Sequence, residues 1–204
     1  MDKKVVEYRG ISGLVAAPLT TDTEETLSYG DVFDVAGIAE LSKTTETSTA
    51  AHYYDNAPAV VISGNGADET KCTVSAIPDD VVAKLTGQQY IEALGALAEG
   101  NPTFPYLAFG YITKDTDGSE RWVWRYKNKC SIPEETHKTE DDGTDAEGQE
   151  FTLTGVNTNH KFTETGKSAK ALVYDPSKNL ITKANFFGSV QTLDTLRALV
   201  PTTP

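Results

Sequence analysis

The sequence predicts a mainly β fold, a β-sandwich or barrel with short helical additions. Three observations carry this. Apolar residues alternate with polar ones at period two through most of the chain. Threonine, which favours strands and turns, makes up about one residue in eight. Turn-forming residues interrupt the apolar runs at short intervals, and only two short stretches carry helical spacing. The chain has 204 residues, 38% hydrophobic and 9% aromatic. That is enough to fill a sizeable core and argues against global disorder.

Residues 1–9 read as a polar lead-in. Residues 13–19 form a strand that ends in the polar run 20–26, and Gly30 opens a second strand over 32–36. Residues 40–58 differ from their surroundings. They are nearly free of bulky apolar side chains as far as Ala50, and then reach His52, Tyr53, Tyr54, Asp55, Asn56, Ala57 and Pro58. The pattern predicts a long loop or arm with an aromatic tip, and loops of this length tend to be functional or disordered. Residues 59–62 read as a short buried strand, and Gly64-Asn65-Gly66-Ala67 as a turn. Residues 71–77 alternate as a strand with Cys72, Val74 and Ala76 on one face.

Residues 78–87 carry the clearest helix signature. Pro78, Asp79 and Asp80 mark the start, Val81, Val82 and Leu85 form an apolar stripe, and Lys84 and Gly87 suit the C-terminal end. Residues 88–101 read as a turn and a strand. Residues 104–130 give the strongest hairpin, with a strand over 105–112, a turn over 115–119 and a return strand over 121–130. Period two places Trp122, Trp124 and Tyr126 on a buried face and Arg121, Arg125, Lys127 and Lys129 on a basic one. An acidic solvated loop follows over 131–149, then strands over 151–156 and 171–174. A short amphipathic helix over 190–200 has Thr192 as its N-cap and is stopped by Pro201.

Lys plus Arg number 18 against 30 Asp plus Glu, a formal net charge of -12. That balance opposes a surface built to grip nucleic acid or anionic lipid. Two cysteines, Cys72 and Cys130, are too few for a disulfide scaffold and read as free or buried thiols in a reducing compartment. The first residues hold no apolar stretch suited to a signal peptide, and no run of about 18 apolar residues suggests a membrane helix. The expectation is a soluble chain made in a cytoplasm.

Catalytic and metal motifs fail one by one, so the chain is not expected to be an enzyme or to carry a cofactor. Gly166-Lys167-Ser168 copies the end of a phosphate loop, but Lys161 stands where its leading glycine belongs. Gly64-Asn65-Gly66 lacks the third glycine of a dinucleotide fingerprint. There is no nucleophile elbow. His52, His137 and His160 are scattered, and the acids at Asp141, Asp142, Asp145 and Glu147 lack an EF-hand glycine. Trp122 and Trp124 read as core aromatics; stacking on sugars is the alternative, which would make the chain a carbohydrate-binding or adhesin-like module.

Residues 121–135 (RWVWRYKNKCSIPEE) resemble the "YVWLYKGKFSLPEE" stretch of major tail proteins from bacteriophages with long non-contractile tails. Four further segments are similar to that family in the same order. Leu27-Ser28-Tyr29-Gly30 resembles its "LTYG", and residues 53–58 its "YADDGPAE". Residues 77–87 resemble its short helix, and residues 105–110 its "PYVAIGF". The likeness runs from about residue 10 to 165 and leaves 166–204 uncovered.

The resemblance implies a tail-tube β-domain over 1–165, with an inter-ring loop at about 40–58 and a C-terminal extension or arm over 166–204. It implies hexameric rings stacked into a tube for passing double-stranded DNA, assembled in the host bacterial cytoplasm and ending in the virion tail. Other copies, the tape-measure, tail-terminator and distal tail proteins would be its partners, and no membrane is involved. Contact residues between subunits or rings would be Lys43, Thr45, Glu46, Tyr53, Tyr54, Asp55 and Pro58. Tyr106, Phe109, Trp122, Trp124 and Tyr126 would form the signature hairpin.

Overall fold

A computed structural model of the chain describes residues 5–54, 56–139 and 147–201. In chain order the elements are β1 (Tyr8–Asp22), β2 (Leu27–Tyr29), β3 (Phe33–Ala36), β4 (Ile38–Tyr54), β5 (Ala57–Val74), α1 (Asp79–Thr86), β6 (Gln89–Ile91), β7 (Ala96–Ala98), β8 (Leu107–Asp115), β9 (Glu120–Cys130), β10 (Gln149–Gly155), β11 (Ala171–Tyr174), α2 (Lys183–Gly188) and α3 (Leu193–Ala198). The protein is mainly β, with one antiparallel sheet curled into a half-barrel and a few short helices. The sheet runs β2-β1-β8-β9-β10-β5-β4, with β3 added on β1 and β11 added on β9. β6 and β7 form a separate small ribbon.

Both faces of the sheet centre are buried. On one face Val35, Cys72, Val74, Phe109, Phe151 and Leu153 pack under Val81, Val82 and Leu85 of α1. Helix α1 has only eight residues and no side-chain N-cap bond, so docking holds it. Its Gly87 takes φ +75° and donates to the Ala83 carbonyl, closing the last turn. On the other face Trp122, Trp124 and Tyr126 meet Phe162, Tyr174, Phe186 and Leu196. Trp124 Nε1 donates to the Phe186 carbonyl at 3.0 Å, which pins α2 to the sheet. Gly110 makes room for this layer: a Cβ there would lie 2.8 Å from Val15 Cγ2 and 3.0 Å from the Trp124 ring.

The described part of the C-terminal segment, residues 166–201, returns to this body. β11 pairs with β9 from Ala171 opposite Arg125 to Tyr174 opposite Trp122, and α2 and α3 cover the second face. The Thr192 hydroxyl caps α3 by accepting from the Thr195 amide, as its position in the sequence predicts.

Several expectations need correction. Residues 40–58 are not a loop: β4 and β5 pair along their whole length as one long hairpin, from Ile38 opposite Val74 to Tyr54 opposite Ala57. Residues 59–62 are exposed rather than buried, and Gly64, Asn65 and Gly66 lie inside β5 rather than in a turn. Ala76 is exposed and Ile77 takes the buried place, because β5 ends at Val74. The basic face of β9 is partly core: Arg125 and Val123 are buried there, while Lys129 is exposed. The period also breaks in β9. A bulge opposite Leu107 and Phe109 lets Asn128 Nδ2 donate to the Arg125 carbonyl at 2.9 Å. Cys130 therefore joins the first core, not the tryptophan face. Strand β2 and helix α2 are additions that the period-two reading leaves out. Asp141, Asp142 and Asp145 of the expected acidic loop lie outside the described residues.

Candidate assembly surface

The half of the β4–β5 hairpin beyond residue 45 leaves the body as an arm. From Glu46 to Gly66 every side chain whose burial is described is exposed, on both faces of the ribbon. Nine residues at the usual strand rise make its reach about 30 Å. The apolar residues on it are large. Tyr53 is 66% exposed, Tyr54 63% and Val61 62%. Val60 and Ile62, also exposed, stand on one face and Val61 on the other, as the strand period requires. At its tip Asn56 takes φ +61°, the left-handed conformation a tight hairpin turn asks for. Over this length β4 and β5 have only each other as strand partners among the described residues, so both outer edges present unpaired backbone groups.

The base of the arm is anchored around one buried carboxylate. Asp68 sits where the ribbon enters the sheet. The Thr45 hydroxyl donates to Asp68 Oδ1 at 2.9 Å, and Lys43 Nζ stands 3.3 Å from Oδ2. From the body, Lys170 Nζ reaches Oδ1 at 2.8 Å and Arg125 Nη1 reaches Oδ2 at 3.5 Å. Burial, the largest influence, pushes the Asp68 carboxyl up. The hydrogen bonds from Lys170 and Thr45 and the lysine charges outweigh it and hold the group below its usual range. Beside this anchor a bulge sets Gly66 and Ala67 against Glu46, and bulges strengthen local twist.

The expected contact residues therefore fall into two groups. Lys43 and Thr45 are tied to Asp68 at the base, and Lys43 Nζ also donates to Thr45 Oγ1 at 2.7 Å. Glu46, Tyr53 and Tyr54 are exposed on the arm surface. Pro58 pairs opposite Tyr53 through the backbone, and Asp55 lies outside the described residues. The exposed Val60, Val61 and Ile62 were not among the sequence candidates. The signature hairpin belongs to the body. Phe109, Trp122, Trp124 and Tyr126 are buried, and Tyr106, half-exposed, lies under the Lys127 and Lys129 ammoniums at 5.2 and 4.8 Å. Among the described residues no group of three His, Cys, Asp or Glu side chains stands at metal-holding distance, and no helix is long and apolar enough to cross a membrane.

An exposed two-stranded ribbon is marginally stable in water, and exposed apolar side chains next to free strand edges invite a partner. No protein family matches the chain, and no curated protein matches it.

Proposed function

We propose that this chain is a structural tail-tube subunit of a phage with a long non-contractile tail, which self-assembles into hexameric rings that stack into a tube. The observation that carries the reading is the β4–β5 arm, a ribbon exposed on both faces with Tyr53, Tyr54, Val60, Val61 and Ile62 outward. The five family-like segments, in order along the chain, support a tail tube as the assembly.

On this reading the half-barrel sheets of neighbouring subunits join edge to edge and close a ring. The arm reaches the next ring, where its free edges extend a sheet and its aromatic tip fills an apolar site. Stacking repeats without closing, so a tube grows. A subunit of net charge -12, repeated around a lumen, repels phosphates and lets double-stranded DNA pass without sticking. Tape-measure, terminator and distal tail proteins would set length and ends. The sugar-binding alternative loses its support, since Trp122 and Trp124 are buried and leave no stacking platform.

Sedimentation velocity over a range of concentrations, followed by electron microscopy, tests the proposal. Rings or tubes with a central channel are expected. A chain that stays monomeric at every concentration, alone or with tail-initiation proteins, contradicts it.

A further inference from the structure

The first core is open at the end of the half-barrel where β1 begins. A cavity of about 640 Å³ lies there, between the starts of β1, β4 and β9 and the later residues of β8 and β11. Apolar side chains line it, with Val123 buried, Ile11 half-buried and Val173 exposed at the rim. Its walls are basic: Arg9, Lys43, Arg121 and Arg125 converge on it against one lining acid, Glu40. The chain as a whole has fewer cations than acids, 18 against 30, so four in one opening run against its composition.

Three of the four cations, Lys43, Arg121 and Arg125, are held by partners. Arg125 donates through Nε and Nη2 to Tyr111 Oη at 3.1 and 2.9 Å, which leaves the phenol proton to be donated elsewhere. Tyr111 also lines the cavity, and burial keeps its phenol protonated. Arg121 stands 3.3 Å from Asp115 and 3.4 Å from the Tyr8 hydroxyl, with further guanidinium donors unused by these two. Arg9 has no ion-pair or hydrogen-bond partner among the described residues. Asp68 serves Lys43, Arg125 and Lys170 together, so it cannot neutralise all three.

We infer that this cavity binds a small organic anion with an apolar body, such as an aryl or alkyl carboxylate, sulfonate or phosphate monoester. Its volume is that of a small-molecule site, and a barrel mouth is a usual place for one. The apolar body would rest on Ile11, Val123 and Val173. The anionic head would accept from Arg9 and Arg121 at the mouth, where partial removal from water strengthens charged hydrogen bonds. This goes beyond the tail-tube reading and does not depend on it.

The test is a calorimetric and fluorescence titration of the full chain with 1-anilinonaphthalene-8-sulfonate. Saturable binding at one site per chain is expected, displaced by octanoate or phenyl phosphate and weakened by salt. The double variant Arg9→Gln and Arg121→Gln should lower affinity about tenfold or more with an unchanged circular dichroism spectrum. Val173→Asp, which alters an exposed apolar position at the rim, should do the same. A Val61→Thr and Ile62→Thr arm variant should bind as the wild type does. Unsaturable binding, affinity unchanged in both cavity variants, or binding that follows the arm overturns the inference.

Discussion

The Thr45 hydroxyl donates to Asp68 Oδ1 at 2.9 Å across the base of the arm. With Lys43, Lys170 and Arg125 around the same carboxylate, one buried acid joins β4, β5, β9 and the approach to β11. Removing one partner from a buried charge cluster leaves the others uncompensated. Asp68→Asn is expected to cost about 3–5 kcal/mol of stability, read by urea unfolding. An unchanged midpoint would show that solvent already screens the cluster.

Acid sensitivity follows from the same group and two others. Asp68 and Asp194 lie below the usual 3.8. For Asp194 burial acts upward and is outweighed by hydrogen bonds from His160 and the Thr163 amide. The Lys183 and Trp122 hydrogen bonds bring Glu120 from 4.5 down to about 2. A carboxyl whose folded pKa is depressed contributes stability above its unfolded value and loses it as pH falls through the folded one. Unfolding midpoints should hold steady down to about pH 4.5 and fall from there towards about pH 2. Asp68→Asn should flatten that slope.

The two cysteines should be chemically silent in the folded chain. Burial pushes the Cys72 thiol up to about 12 and Cys130 higher still, and both are buried. Little thiolate then exists near neutrality to react. An aromatic disulfide reagent should label neither thiol in native buffer and both in denaturant. Rapid native labelling of either would contradict its burial.

Helix α1 depends on its cap and its stripe. A Cβ on Gly87 would lie 2.1 Å from the Thr103 carbonyl oxygen, at φ +75°. Gly87→Ala should therefore destabilise by more than the ~1 kcal/mol of ordinary left-handed strain. Leu85, fully buried, should cost about 2–5 kcal/mol as Leu85→Ala. Thermal unfolding measures both.

Local cues made the helix over 78–87 legible: Pro78, two acids, an apolar stripe and Gly87 lie within one short stretch. The β8–β9 hairpin and the Thr192 cap were legible for the same reason. The arm was only half legible. A ribbon exposed on both faces has no burial alternation, so residues 40–58 read as a loop, while the apolar run 59–62 reads as core. What makes them strands is pairing with each other, a relation between segments rather than within one. Arg125 failed for a related reason: its compensation by Asp68 and Tyr111 comes from distant strands. The bulge at Asn128, which moves Cys130 to the other face, is set by the partner strand β8 and leaves no local signature.

The Asp68 anchor decides where the arm can be removed without disturbing the body. Removing residues 43–56 would delete Lys43 and Thr45 from the Asp68 anchor, whereas replacing residues 47–65 with a short turn spares it. The most direct test of the account is electron microscopy of the wild type beside this 47–65 replacement, with circular dichroism on both. The account predicts stacked rings for the wild type, and folded β-rich particles that do not stack for the variant. Tubes of equal length and number from both, or a wild type that never assembles, would contradict it.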